Sequence, residues 1–118
     1  MQNSNFEPTV IQKSYKLYIQ IFNLLKNFPK PNRYTLGEKI ENTLLNLVEL
    51  IVLSNIQIKT LREPFLHKAS AKCELLKLLL RASFDLRLIS ERQYIELESK
   101  AVEIGKMIGG WIKYCRTR

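Results

Sequence analysis

One histidine, two cysteines and four glycines are all that the 118 residues hold of those types, and no stretch alternates apolar and polar residues. Each scarcity closes off a chemistry. A metal centre needs several His, Cys or carboxylate ligands converging, which a lone His67 and two distant cysteines do not offer. A Ser-His-Asp triad has no support either. With no strand, no glycine-rich phosphate loop can follow one. The longest apolar-looking run, Leu44 to Ile58, is broken by Asn46, Glu49, Ser54, Asn55 and Gln57, and it falls short of the roughly 18 residues that a membrane span requires. It reads as a core helix, and no membrane partner is expected. The start, MQNSNFEP, lacks the basic-then-apolar plan of a secretory signal. A reduced, cytoplasmic chain is therefore expected, with Cys73 and Cys115 acting as small buried apolar groups. No cofactor and no enzymatic activity are expected.

What is present is helical periodicity. Apolar residues make up 46% of the chain and charged residues 25%, proportions that place it among globular domains. The reading is a flexible segment over residues 1–8 followed by one domain over 9–118. Four segments repeat apolar residues at alternating spacings of three and four, the mark of a helix with one buried stripe. In the first, Val10, Leu17, Ile21, Leu24 and Phe28 share a stripe, and Ile11, Tyr15, Tyr18, Phe22 and Leu25 form a second beside it. The second carries Leu36, Ile40, Leu44, Leu47, Ile51 and Ile58; the third, Ala69, Cys73, Leu76, Leu80 and Ser83; the fourth, Tyr94, Leu97, Ala101, Ile104, Ile108, Trp111 and Cys115.

Helix starts are suggested by three capping-box sequences, Thr35–Glu38, Thr60–Glu63 and Ser90–Gln93, in which a hydroxyl and a Glu or Gln side chain satisfy otherwise orphan amides. Pro29 and Pro31 end the first helix. Short connections favour antiparallel neighbours, so the expected fold is all-α, an up-down-up-down four-helix bundle in which the first and fourth helices touch.

The charge is unevenly spread. Residues 38 to 103 hold ten acidic and ten basic side chains and are neutral, so the net charge of +8 sits at the two ends. Lys13, Lys16, Lys26, Lys30 and Arg33 lie on the first helix and its loop, and Lys106, Lys113, Arg116 and Arg118 at the end of the fourth. Cations pooled on one edge without carboxylates are the footprint expected for a phosphate backbone. No base-reading motif accompanies them, so recognition by shape and backbone is expected.

Three of the four glycines, Gly105, Gly109 and Gly110, fall in the fourth helix beside the only tryptophan. Glycine costs about 1 kcal/mol relative to alanine inside a helix, which leaves two readings, a frayed helix end or a notch for another backbone. The notch is favoured, because the first helix is apolar over an arc too wide for one bundle to cover. Tyr15, Tyr18, Phe22, Gly105, Gly109 and Trp111 are accordingly the expected contacts with a second copy or a partner. The pair Arg62 and His67 fits the Arg-x4-His spacing of HEPN ribonucleases, but five residues are about 140° apart on a regular helix, so a surface histidine is the simpler account.

The stretches RYTLGEKIENTLLNLVELI (33–51), ASAKCELLKLLLRASFDLRLIS (69–90) and EIGKMIGGWIK (103–113) resemble the four-helix-bundle family that includes the accessory variability determinant (Avd) of diversity-generating retroelements and the proteins encoded in 23S ribosomal RNA intervening sequences. The likeness covers the chain from about residue 9 and is nearest the Avd branch. It implies a homopentameric barrel of bundles with a basic surface that binds the element's reverse transcriptase and template RNA in mutagenic retrohoming, without catalysing a reaction itself. The alternatives are an RNA-binding bundle of the intervening-sequence type and a ribonuclease using Arg62 and His67.

Overall fold

A computed structural model describes residues 6–117, the first three as backbone alone. Most of the stretch expected to be flexible, and Arg118, lie outside the described residues. Among the described residues four long helices form the bundle: α1 (Phe6–Leu25), α2, α3 (Glu63–Asp85) and α4 (Glu91–Cys115). Helix α2 is composite, running without a break from Lys30–Asn32 through π-helical Arg33–Gly37 into Glu38–Ile56. The helices pack antiparallel in the cyclic order α1, α2, α3, α4, with α4 returning against α1, and the bundle measures 49 × 23 × 19 Å.

The core follows the stripes. All five stripe residues of α3 are buried, as are Leu97, Ala101, Ile104, Ile108 and Trp111 on α4 and Ile40, Leu44, Leu47 and Ile51 on α2. Each fully buried Leu or Ile contributes on the order of 1.5–3 kcal/mol of transfer free energy, so this interior drives the fold. Helix α1 departs from its expected stripe in detail. Leu25 is buried from the second row while Leu24 is half-buried, and Ser14 faces the core, its hydroxyl satisfied by donating to Ile11 O at 3.0 Å. Ile58 leaves its expected stripe, because α2 ends at Ile56, and stands exposed.

Of the three capping boxes, only Ser90–Gln93 forms. Gln93 N donates to Ser90 Oγ at 3.1 Å and Ser90 N donates to Gln93 Oε1 at 2.8 Å. Thr35 caps nothing. Pro29 serves as N-cap, Pro31 occupies the first turn of α2 where no donor is needed, and the helix begins one turn and more before Thr35, whose hydroxyl donates back to Pro31 O. The Thr60 box also fails. Lys59–Leu61 form a 3-10 turn, Arg62 takes the N-cap position, and the Glu63 carboxylate turns to Arg116 and His67.

Arg62 instead seals the α2–α3 junction. Its Nε donates to Ser54 O and Gln57 O, both at 3.0 Å, and Ser54 O also accepts from Gln57 N at 3.3 Å, tying the end of α2 to the following turn. The guanidinium lies 5.6 Å from the centre of the Trp111 ring. Trp111, expected at a partner contact, is fully buried here in the core, so it belongs to folding rather than to a surface.

Candidate nucleic-acid interface

Helices α1 and α4 do lie side by side, and polar side chains join them along their length. Lys13 Nζ meets Glu103 Oε2 at 3.1 Å, Lys100 Nζ donates to Gln20 Oε1 at 2.6 Å, and Gln20 Nε2 donates to Glu96 Oε2 at 3.0 Å. Since residue numbers rise on α1 as they fall on α4, the neighbours are antiparallel.

Each predicted cation except Arg118, which lies outside the described residues, now has a place. Lys16, Lys30, Lys106 and Lys113 are exposed and form no ion pair among the described residues. Lys26 is exposed too and lies over the Phe22 ring, 5.1 Å from its centre. Three others are engaged. Arg33 Nη2 donates to Lys26 O at 3.0 Å and Phe28 O at 3.3 Å, closing the α1–α2 loop. Lys13 is paired with Glu103, and Arg116 donates through Nε and Nη2 to Glu63 Oε2 at 3.0 and 2.7 Å. The expectation of an edge free of carboxylates is thus corrected, because packing brings Glu103 and Glu63 from the neutral middle of the chain onto two of its cations.

Nor are the cations one cluster. Lys13 and Lys26, the latter one residue past α1, are thirteen positions apart, roughly 20 Å of helix, and the antiparallel arrangement puts Lys26 and Lys30 at the end opposite Lys113 and Arg116. Lys106 and Lys113, seven apart, sit two turns from each other on the outward face of α4. The result is a line of charge along the bundle.

The Glu63 carboxyl is held well below its ordinary value of 4.5, to about 2, chiefly by the Arg116 hydrogen bond and then by the one to His67. His67 Nε2 is 3.0 Å from Glu63 Oε2. With Arg62 spent on main-chain carbonyls and His67 on Glu63, the two residues of the ribonuclease reading are each occupied by a structural contact.

The residues expected at partner contacts divide. Tyr15 and Phe22 are 60% and 42% exposed, and Ile19 completes their stripe. On α2, Leu45, Val52 and Ile56 are exposed at matching spacing. Tyr18 is half-buried and donates to Glu41 Oε2 at 2.9 Å, which, with burial and the same negative charge, raises the phenol above its ordinary 10. Gly105 lies against Cys73, its missing Cβ 3.5 Å from the Sγ, and Gly109 is exposed with nothing within 4 Å of the corresponding position. Both sit inside a helix that continues to Cys115, so the frayed-end reading does not apply. The glycine that does face a close approach is Gly37, where a Cβ would be 3.3 Å from Asn32 O.

Cys73 is buried and donates its thiol to Ala101 O at 3.2 Å, and burial pushes that thiol up to about 11. Cys115 is only half-buried, and neither cysteine is part of a disulfide. No helix among the described residues is long and apolar enough to cross a membrane.

An antiparallel four-helix bundle with exposed lysines on α1, the following loop and α4 is the class these features define. Within that class, a family model described as bAvd-like matches residues 9–115, and the chain belongs to that family. No curated protein matches the chain.

Proposed function

We propose that this protein is a non-catalytic accessory component of a diversity-generating retroelement, one that binds the element's reverse transcriptase and template RNA and supports mutagenic retrohoming. The observation that carries the reading is membership of the bAvd-like family over residues 9–115. The exposed lysines along the α1–α4 edge and the outward face of α4 support it, since Lys16, Lys26, Lys30, Lys106 and Lys113 offer ammonium groups to a polyanion. In this role the polymerase performs the chemistry, and the bundle raises the effective concentration of RNA near it. DNA carries the same backbone charge and is a competing ligand for the same lysines.

Self-association belongs to the reading, as a homopentameric barrel. The exposed Tyr15, Ile19 and Phe22 stripe on α1 and the uncovered Gly109 on α4 stand on different helices. Two unlike faces, one per neighbour, are what a closed ring of identical subunits needs.

Co-purification with the reverse transcriptase, followed by a salt titration of RNA binding, tests the proposal. A Lys16/Lys26/Lys30/Lys113 charge-reversal variant should keep its helical circular dichroism and its thermal transition yet lose RNA by well over tenfold. Undiminished RNA binding by that variant would place the nucleic acid on another surface, and absence of RNA binding by the unaltered protein would end the accessory reading.

A further inference from the structure

Where α1 and α4 meet, they enclose a pocket of about 110 Å³. Its floor is apolar, made by Leu17 and Ile104, each 1% exposed. Its rim carries Lys13, Lys16, Lys100 and Glu103, three cations against one anion. Lys100 comes from the stretch of the chain whose charges cancel in the sequence, so the pocket is a product of folding.

The rim is unequally committed. Lys13 is paired with Glu103 at 3.1 Å, and with both side chains 40% or more exposed that pairing holds weakly against water and salt. Lys100 is braced by Gln20 Oε1 at 2.6 Å and Glu96 Oε2 at 3.4 Å, which hold its ammonium group at the seam. Lys16 has no ion pair among the described residues. From Gln20 the seam opens into a groove of about 280 Å³ lined by the amides of Gln20, Asn23, Asn27 and Gln93 and by the Glu96 carboxylate, which Lys100 and Gln20 engage, over Leu24 and Leu97.

We propose that this pocket seats one backbone phosphate of a bound nucleic-acid strand, with Glu103 as the displaceable anion that occupies Lys13 when no strand is present. The proposal rests on the RNA-binding reading above and names the residues that would perform it. A phosphate oxygen and a carboxylate oxygen are equivalent acceptors for Lys13, and lysine holds phosphate as a point charge needing no fixed fork. Glu103 lies on the exposed side of α4 and rehydrates when displaced. The apolar floor keeps water from one side of the charges, which strengthens the attraction. A strand fits better than a lone ion because the seam continues into a groove of amide donors and acceptors, groups suited to unstacked base edges.

The test is anisotropy of a labelled single-stranded RNA of about 20 nucleotides, titrated with the full chain across a range of salt. Lys100→Gln should weaken binding about fivefold and reduce the salt slope by about 0.7, the share of one phosphate contact on a single strand. Glu103→Gln should tighten binding several-fold, while Lys39→Gln, on α2, leaves it unchanged. All three positions are exposed, and matching thermal transitions would confirm intact folds. If the unaltered protein binds RNA but Lys100→Gln and Glu103→Gln both bind like it, the phosphate seat is overturned and the accessory reading survives. If the unaltered protein binds no RNA, both fall. Inorganic phosphate is the second probe: displacement of the RNA at an equal concentration of phosphate groups would make this a small-anion site and overturn the strand assignment.

Discussion

Gly37 and Gly109 both lie within continuous helices, and the surroundings give them opposite meanings. At Gly37 a Cβ would stand 3.3 Å from the main-chain oxygen of Asn32 and 3.6 Å from side-chain carbons of Leu25 and Phe28, two core residues. The carbonyl belongs to the turn that opens α2 and cannot simply rotate away, so a larger residue forces the π-helical turn off the end of α1. Gly37→Val should cost about 1–3 kcal/mol, the usual effect of overpacking. Gly109 has nothing within 4 Å of the same position, so in the isolated bundle Gly109→Ala should gain up to about 1 kcal/mol of helix propensity. Urea unfolding of the two variants measures both. Equal destabilisation would mean that Gly109 is covered by something the single chain does not contain, and a stabilised Gly109→Ala protein with lowered oligomer mass would locate the subunit contact at that notch.

At the scale of the element, what starts a helix here was only partly legible. Ser90 caps α4 through both bonds of its box, whereas Thr35 lies inside the composite α2 and bonds backward. Ser90→Ala should therefore cost about 1 kcal/mol and Thr35→Ala half of that or less, a contrast that thermal unfolding resolves. Comparable losses at both sites would mean that Thr35 does hold the helix start. The Thr35 box misled because Pro29-Lys30-Pro31 looks like a terminator, while a proline is equally at home in the first turn of the next helix. The stripes, by contrast, were legible residue by residue on α3 and α4, since a buried face of one helix depends on period alone. The candidate site was legible only in its placement. That α1 and α4 adjoin follows from topology, but the partners of Lys13 and Arg116 depend on the axial register between helices, to within a turn. Nothing in a one-dimensional charge count carries that register. Once α1 and α4 are known to run antiparallel with Gln20 beside Glu96, Glu103 falls opposite Lys13 by counting seven residues along each helix, and the pocket could be found.

Across the whole molecule, residues far apart in the chain meet where the C-terminal end of α4 passes the α2–α3 junction. Arg116 binds Glu63 through two donors, Lys59 Nζ donates to Thr117 O at 2.8 Å and lies 4.4 Å from the centre of the Tyr114 ring, and Arg62 covers Trp111. Loop and terminus are thus pinned to each other and to the core tryptophan. The Glu63 carboxyl makes this latch sensitive to acid. Its value in the folded protein is depressed from 4.5 to about 2, so the folded state binds fewer protons than the unfolded chain across that interval. Its stabilising effect is complete above about 4.5 and is lost as pH falls towards 2. Other carboxylates contribute to acid unfolding as well, so the informative measurement is a difference. Thermal midpoints of the unaltered protein and of Glu63→Gln, compared at pH 5.5 and near pH 2.5, should converge on acidification, because the unfolded chain then gains the Glu63 proton that the folded state holds off, and most of the stabilisation is lost. Arg116→Gln should converge in the same way, since it removes the other half of the same bond. A gap between unaltered protein and Glu63→Gln that stays constant over the whole interval would show that Arg116 and His67 do not hold that carboxylate in solution, and the latch would reduce to the stacking of Lys59 and Arg62 on their rings.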